Sequence, residues 1–301
     1  MPFDAVLPAF SIALVGYLAG KRLSLDKGTV SRLCFYVLTP ALTFNSLATS
    51  TVDLSAAWRL SLVALALPIV LTPLFSTVFK AGKLDRTTGR GLLLPTIFSN
   101  AGNYGLPVCL FAFGQEGLEF ATVFFVVQGV LIATYGVYVA ASSKMDMRSA
   151  LGLVVKMPAV YAAAAGLVVK VFGVQVPQVI MRPVSLLASG GIGVFLFLLG
   201  LQLVGTKSSA SLWKPLSLTV ILRLLVAPVA AGIVGRVVGL SGLPWKILVL
   251  QAAMPPPVNS TILAQEFNAK PELVSSATLV GTLASLITLT AWIMVLKQFA
   301  G

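Results

Sequence analysis

Apolar residues run along this chain in long unbroken stretches separated by short polar clusters. A half-buried strand would alternate with period two and a surface helix would carry a one-sided stripe, and neither pattern dominates here. The stretches are about 18 to 25 residues long, enough for a helix to cross a hydrocarbon core. They predict spans at 2–20, 31–50, 57–79, 92–113, 119–141, 157–173, 181–205, 215–239, 246–264 and 273–296. The fold class is therefore an all-α polytopic membrane protein with ten transmembrane helices. A membrane β-barrel would instead show short segments of alternating polarity. The first stretch follows Asp4 instead of a basic region, so it is expected to be a retained helix and not a cleaved leader.

Two stretches are interrupted by polar and helix-breaking residues. The fourth contains "SNAGNYGLPV" (99–108) and the ninth "AAMPPPVNSTILA". The third and eighth each carry a proline at comparable depth, Pro73 and Pro228, and each interrupted stretch is followed by a short acidic linker and a long apolar helix. The chain thus divides at "SSKMDMRSALGLVVK" into a first repeat (1–142), a cytoplasmic linker (143–156) and a second repeat (157–301). Five spans per half is an odd number, so the second copy enters the membrane from the opposite side. Matching Gly/Pro interruptions in two inverted repeats point to a transporter's midplane binding site.

The chemistry at each interruption differs. Unpaired backbone groups in hydrocarbon cost several kcal/mol each, so a break survives only inside protein or beside a watery cavity. In the fourth span Gly102, Gly105 and Pro107 are expected to open the helix, with Asn100, Asn103 and Tyr104 supplying neutral donors and acceptors for a solute. In the ninth, Pro255, Pro256 and Pro257 stop the helix and Asn259, Ser260 and Thr261 restart it. A restarted helix presents free N–H groups and the positive end of its dipole, which suits an anion. A restart at Pro107, a favoured first-turn residue, would bring two such ends together.

Composition and charge narrow the reading. With 57% hydrophobic and 10% charged residues and a mean hydropathy of +0.97, the chain falls outside the range of soluble domains. Lysines and arginines concentrate in alternate loops, at Lys21, Arg22, Lys27 and Arg32, at Lys80, Lys83, Arg86 and Arg90, at Lys144, Arg148 and Lys156, at Lys207 and Lys214, and at Lys270. These loops are cytoplasmic by the positive-inside rule, which puts both termini outside. The same scatter explains the net charge of +12 without a nucleic-acid partner.

The chain has no histidine, and its nine acids lie at span ends or in loops. Proton-coupled antiporters keep an ionisable residue deep in the bilayer as a relay. Transport here therefore lacks such a relay, couples through the substrate's own protonation, or uses neutral sodium ligands. An intramembrane enzyme would need a positioned base, nucleophile or metal, so no enzyme is expected. Cys34 and Cys109 sit in apolar spans, no metal-ligand spacing occurs, and no cofactor is implied. Arg223 lies within the eighth span and either draws anions or snorkels to the interface. Asn45 and Gln128 either line the cavity or bond between helices.

The stretches "NAGNYGLPV", "FYVLTPALTFNSL" and "AAMPPPVNSTILAQEF" running into "SATLVGTLASLITL" resemble the auxin efflux carrier family, whose bacterial members include malate and malonate permeases. The resemblance covers nearly the whole chain in order. It implies two inverted five-helix repeats similar to sodium/proton antiporters and bile-acid symporters, with the fourth and ninth helices crossing. It also implies an elevator motion, in which spans 3–5 and 8–10 carry the solute past a scaffold of spans 1, 2, 6 and 7 that pairs two copies. Asn100, Asn103 and Pro107 match the family's fourth-span motif, and Pro255 matches the start of its ninth-span one. Plant members have a second proline where Ser260 stands here, and often a far longer central loop. The chain therefore resembles a compact bacterial inner-membrane member. Its implied substrates are small organic anions such as malate or malonate, with sodium-coupled symport of the bile-acid-carrier type as the alternative.

Overall fold

The computed structural model describes residues 3–140, 152–206, 213–267 and 269–299. Lys144, Asp146, Arg148 and most of the expected linker, together with Lys207, lie outside the described residues. Among the described residues every regular element is helical. The first part comprises α1 (Phe3–Arg22), α2 (Lys27–Leu33), a π-helical turn (Cys34–Leu38), α3 (Thr39–Ala48), α4 (Leu54–Ala81), α5 (Arg86–Ile97), a second π turn (Ala101–Gly105), α6 (Leu106–Leu131), a third π turn (Ile132–Gly136) and α7 (Val137–Ala140). The second part comprises α8 (Pro158–Phe172), α9 (Gln178–Leu203), α10 (Trp213–Ile221), a π turn (Leu222–Val226), α11 (Ala227–Val237), α12 (Gly242–Ala252), α13 (Asn259–Glu266) and α14 (Pro271–Gln298).

Five helical stretches among the described residues are long and apolar enough to cross a membrane: Leu54–Ala81, Arg86–Ala140, Gln178–Leu203, Trp213–Val237 and Pro271–Gln298. The 55-residue stretch Arg86–Ala140 contains two expected spans. Gly114, at φ 71° and ψ −162°, breaks the helical path between them. Only glycine adopts that backbone readily.

Several helices begin about one to two turns before their apolar stretch does. The third starts at Leu54, ahead of the expected 57, because the Asp53 carboxylate accepts from the Ala56 N–H at 2.9 Å. The fourth starts at Arg86, ahead of 92, because Asp85 accepts from the N–H groups of Thr87 and Thr88 at 3.1 and 3.0 Å. Asp26 does the same for α2. Hydropathy marks the part of a helix that suits hydrocarbon, whereas the helix itself starts wherever a side chain satisfies its first N–H groups. The bonds from Thr29, Ser55 and Thr88, with the neighbouring backbone N–H groups, hold the carboxyls of Asp26, Asp53 and Asp85 below the usual aspartate range.

Helix packing includes two groups of close neighbours, which also touch each other directly where α1 meets α6 and α14 and where α3 meets α6. α1 lies on α9 at backbone contact, where a Cβ at Gly16 would fall 2.0 Å from the Phe197 carbonyl oxygen and one at Gly200 1.7 Å from that of Ala13. α3 packs against α8 and α9. In the other group α4, α6, α11 and α12 pack together, and α14 contacts α5, α10 and α13. The π turn Ala101–Gly105 lies between the groups, against both α6 and α9. Pro68 and Pro73 sit inside α4 without ending it, and the hydroxyls of Thr72 and Thr77 donate to their carbonyls at 2.7 and 2.8 Å.

Candidate functional site: a crossing of two interrupted helices

The first interruption begins where α5 ends at Ile97. Phe98 is extended (φ −103°, ψ 152°) and Asn100 takes φ −75°, ψ 60° before the chain re-enters helix. The non-helical residues are thus 98–100, just upstream of the Gly102–Pro107 segment expected to open the helix. Gly102 and Gly105 lie in the π turn that restarts it, and Pro107 lies in the first turn of α6. The second interruption runs over 253–258, between the end of α12 and the start of α13 at Asn259. All three prolines are buried there.

The two interruptions hold each other through the backbone. The Asn100 N–H donates to the Pro255 carbonyl at 2.8 Å, while the Asn100 carbonyl accepts from the Gly105 N–H at 2.9 Å. A proline segment has carbonyls but no donors of its own. The glycine-rich segment supplies the missing one.

Three long polar side chains reach further groups in and around the interruptions. Gln128, from α6, accepts at its Oε1 from the Ser99 hydroxyl at 3.0 Å and the Ser99 N–H at 3.4 Å. Gln251, fully buried on α12, points its Nε2 at the Ala101 and Ala121 carbonyls at 3.4 and 3.5 Å. A Cβ at Gly105 would lie 2.2 Å from the Gln251 Oε1, so any larger residue there would push the end of the Gln251 side chain out of its present place. Arg223, only 1% exposed, donates through Nη1 to the Thr96 carbonyl at 3.1 Å and through Nη2 to the Ala252 carbonyl. Those carbonyls belong to the last turn of α5 and the last residue of α12. Such burial is incompatible with snorkelling to an interface.

The structure brings some of the expected site residues to the crossing and leaves others elsewhere. Asn100 is 5% exposed, and its side-chain nitrogen has no hydrogen-bond partner. Asn103 is half-buried on the same π turn. Tyr104 is wholly buried, its ring edge-on to Phe10 of α1 at 5.8 Å and its hydroxyl 3.5 Å from the Ser285 Oγ of α14. Ser260 is buried and Asn259 exposed in the first turn of α13. Asn45 lies away from the crossing on α3, where its Oδ1 accepts from Ser185 of α9 at 2.7 Å, a bond between helices. Gln128 and Arg223 are engaged with the backbone at the interruptions.

Sequence reading missed Thr96, Ser99, Gln251 and Ser285. Gln251 carried the same signal as Gln128, a lone amide in an apolar span. A cavity of about 320 Å³, lined by Arg86, Thr87, Arg90 and Phe267 among others, opens at the far end of α5 and includes none of the crossing residues.

These features define a class: a multi-pass helical membrane protein whose polar chemistry is gathered where two interrupted helices meet, which is the build of a transporter and not of an enzyme. Residues 2–293 match the family described as Membrane transport protein, and the chain belongs to that family, the auxin efflux carrier family. It is 25% identical to an uncharacterized transporter of Methanocaldococcus jannaschii, covering 97% of this chain and 98% of the relative. It is 26% identical to the uncharacterized transporter YfdV of Escherichia coli over 96% of each chain. A probable auxin efflux carrier component 1b of Oryza sativa is 32% identical over 125 residues, which is 41% of this chain and 23% of the plant protein.

Proposed function

We propose that this protein is a secondary transporter of small organic anions, with dicarboxylates such as malate or malonate the first candidates, working by elevator-type alternating access. One observation carries the reading. The Asn100 amide nitrogen is buried without an acceptor at the point where a helix restarts, one residue from the π turn that carries Asn103. A buried donor left unpaired costs about 1–3 kcal/mol, and a solute carboxylate oxygen is the partner that would remove that penalty. Glu119, a buried carboxylate, accepts from the Thr51 N–H at 3.0 Å and so serves another part of the fold.

In this reading the interruptions belong to the fourth and ninth of ten spans, and residues 1–142 and 157–301 are inverted repeats joined by a cytoplasmic linker. α4–α7 and α10–α14 move the solute against α1–α3, α8 and α9, through which two copies pair. The protein lies in a bacterial inner membrane with both termini outside. The packing of α1 on α9 and of α3 on α8 supports that division.

Purified protein in liposomes is expected to take up radiolabelled malate or malonate saturably. A panel of mono- and dicarboxylates giving neither uptake nor thermal stabilisation overturns the anion reading. Sodium-coupled symport has one observation in its favour, the buried Gln251 Oε1 that no donor reaches. Uptake unchanged when choline replaces sodium excludes it.

A further inference from the structure

We infer that Arg223 is a positioning residue that clasps both interrupted helices and sets the sign of the solute they accept. The second half of this inference rests on the anion-transport reading; the first does not.

The geometry of the clasp is specific to arginine. Its guanidinium reaches carbonyls 127 residues before and 29 residues after it in sequence, in the last turns of α5 and α12. A planar fork with five donors can serve two separate carbonyls at once, whereas a lysine ammonium acts as a single point charge. Arg223 itself stands in the π turn Leu222–Val226. That turn is pinned from α14, where the Trp292 indole N–H donates to the Leu224 carbonyl at 2.9 Å. The clasp is therefore held at its base as well as at its tip.

The charge follows from the same contacts. A helix end carries roughly half an elementary charge, negative at the C-terminus and positive at the N-terminus. Four half-helix ends meet at the crossing: two C-termini, of α5 and α12, and two restarts, at Ala101 and Asn259. Without a side-chain charge those four ends sum to about zero. The Arg223 guanidinium sits on the two negative ends and offsets roughly one unit, which leaves the two positive ends uncompensated. The buried side chains at the crossing include no carboxylate among the described residues, so an anionic solute is the natural counter-ion. The unpaired Asn100 amide points to the same class of partner.

The test compares Arg223→Gln and Arg223→Lys with wild type in the full-length protein. Hydrogen–deuterium exchange is read at residues 96–105 and 250–261, with α1 and α9 as reference, and uptake of radiolabelled malonate into liposomes gives KM and Vmax. For Arg223→Gln, exchange is expected to rise about tenfold or more in both segments together while α1 and α9 stay protected, and KM to rise about tenfold or more. Arg223→Lys keeps the charge and loses the fork, so KM returns most of the way to wild type while the paired loss of protection persists. A purely structural role would lower the folded yield and leave KM of the folded fraction unchanged. Exchange rising in only one segment, or in neither, overturns the clasp. Equal KM changes in the two variants, or none in Arg223→Gln, overturn the role of charge. Should Arg223→Gln not fold, Arg223→Lys alone decides: unchanged protection in both segments overturns the clasp, and a KM raised about tenfold or more overturns the charge. If wild type takes up no anion, the transport reading fails by itself and the exchange arm still decides the clasp.

Discussion

The two interruptions are made from opposite backbone chemistry. Residues 98–105 contain two glycines and no proline, so every residue keeps its N–H, and the Asn100 N–H is turned outward to the other segment. Residues 253–258 contain three adjacent prolines and are short of donors. The first break is therefore shaped by what packs on it: Gln128 on Ser99, Gln251 on Gly105 and Phe125 beside Gly102. The second is imposed locally, by residues that cannot continue a helix in any surroundings. One break is a consequence of its neighbours and the other is a cause, and the bond from Asn100 to Pro255 joins them.

The largest effect should come from erasing the cause. Replacing Pro255, Pro256 and Pro257 together by alanine restores three donors and lets α12 continue toward α13. Uptake should fall by more than about a hundredfold, since proline costs about 3 kcal/mol in a helix interior and its removal frees the segment to become helical. Circular dichroism should show more helix. Retained transport with unchanged helicity would mean that the second break, like the first, is held by its surroundings.

Added bulk separates the two breaks less severely. A Cβ at Gly281 of α14 would lie 2.6 Å from the Pro256 Cδ, and one at Gly102 would lie 2.7 Å from the Phe125 ring. The proline ring is fixed by the backbone on both sides, while Phe125 is half-buried and can turn about its side-chain bonds. Gly281→Ala should thus cost about 1–3 kcal/mol in chemical or thermal unfolding, and Gly102→Ala less than about 1. The reverse order would show that the proline segment is the more yielding of the two.

Within the first break, two amides should differ in kind. Gln128→Ala leaves the Ser99 N–H and hydroxyl without their acceptor in a buried site, which costs about 1–3 kcal/mol. Asn100→Ala instead removes a donor that is buried without a partner, so it should not destabilise the protein and should raise its stability by up to about 1–3 kcal/mol. Malonate uptake should nevertheless be lost. Full uptake by a stable Asn100→Ala protein would remove that amide from the solute site. Asn103, also named by the motif, would then become the contact to examine by the same substitution.

What was legible in the sequence follows the same contrast. The proline triplet announces its break by residue type alone, and the glycine-rich decapeptide showed that something polar happens in the fourth span. The displacement of the actual break to 98–100 was not visible, because the π turn at 101–105 packs against Gln251 of α12 and against Phe125, twenty or more residues further along the chain. Hydropathy registers that Gln128, Gln251 and Arg223 are out of place, but the backbone groups they hold lie 29 to 150 residues away in sequence. For the same reason Tyr104 read as a site residue, although Phe10 and Ser285 enclose it. Asn45 is similarly accounted for by Ser185, a partner no local pattern could reveal.

The smallest effect concerns the helix that leads into each break. The helix leading to the first, α5, is capped by the exposed Asp85 carboxylate, whereas α12, leading to the second, begins at Ser241 with no side-chain bond to its N–H groups. The hydrogen bonds from Thr88 and Thr87 hold the Asp85 carboxyl below its ordinary value of 3.8. A carboxyl whose folded pKa is depressed contributes stability above its unfolded pKa and loses it as pH falls through the folded one. Asp85→Asn should therefore melt slightly below wild type at neutral pH, and the difference should persist down to about pH 4 and disappear below it. Ser241→Ala should show no pH-dependent difference from wild type, because that start carries no titrating cap. A gap between Asp85→Asn and wild type that persists at strongly acid pH would trace the cap to the geometry of the side chain and not to its charge, and the starts of α5 and α12 would then differ only in shape.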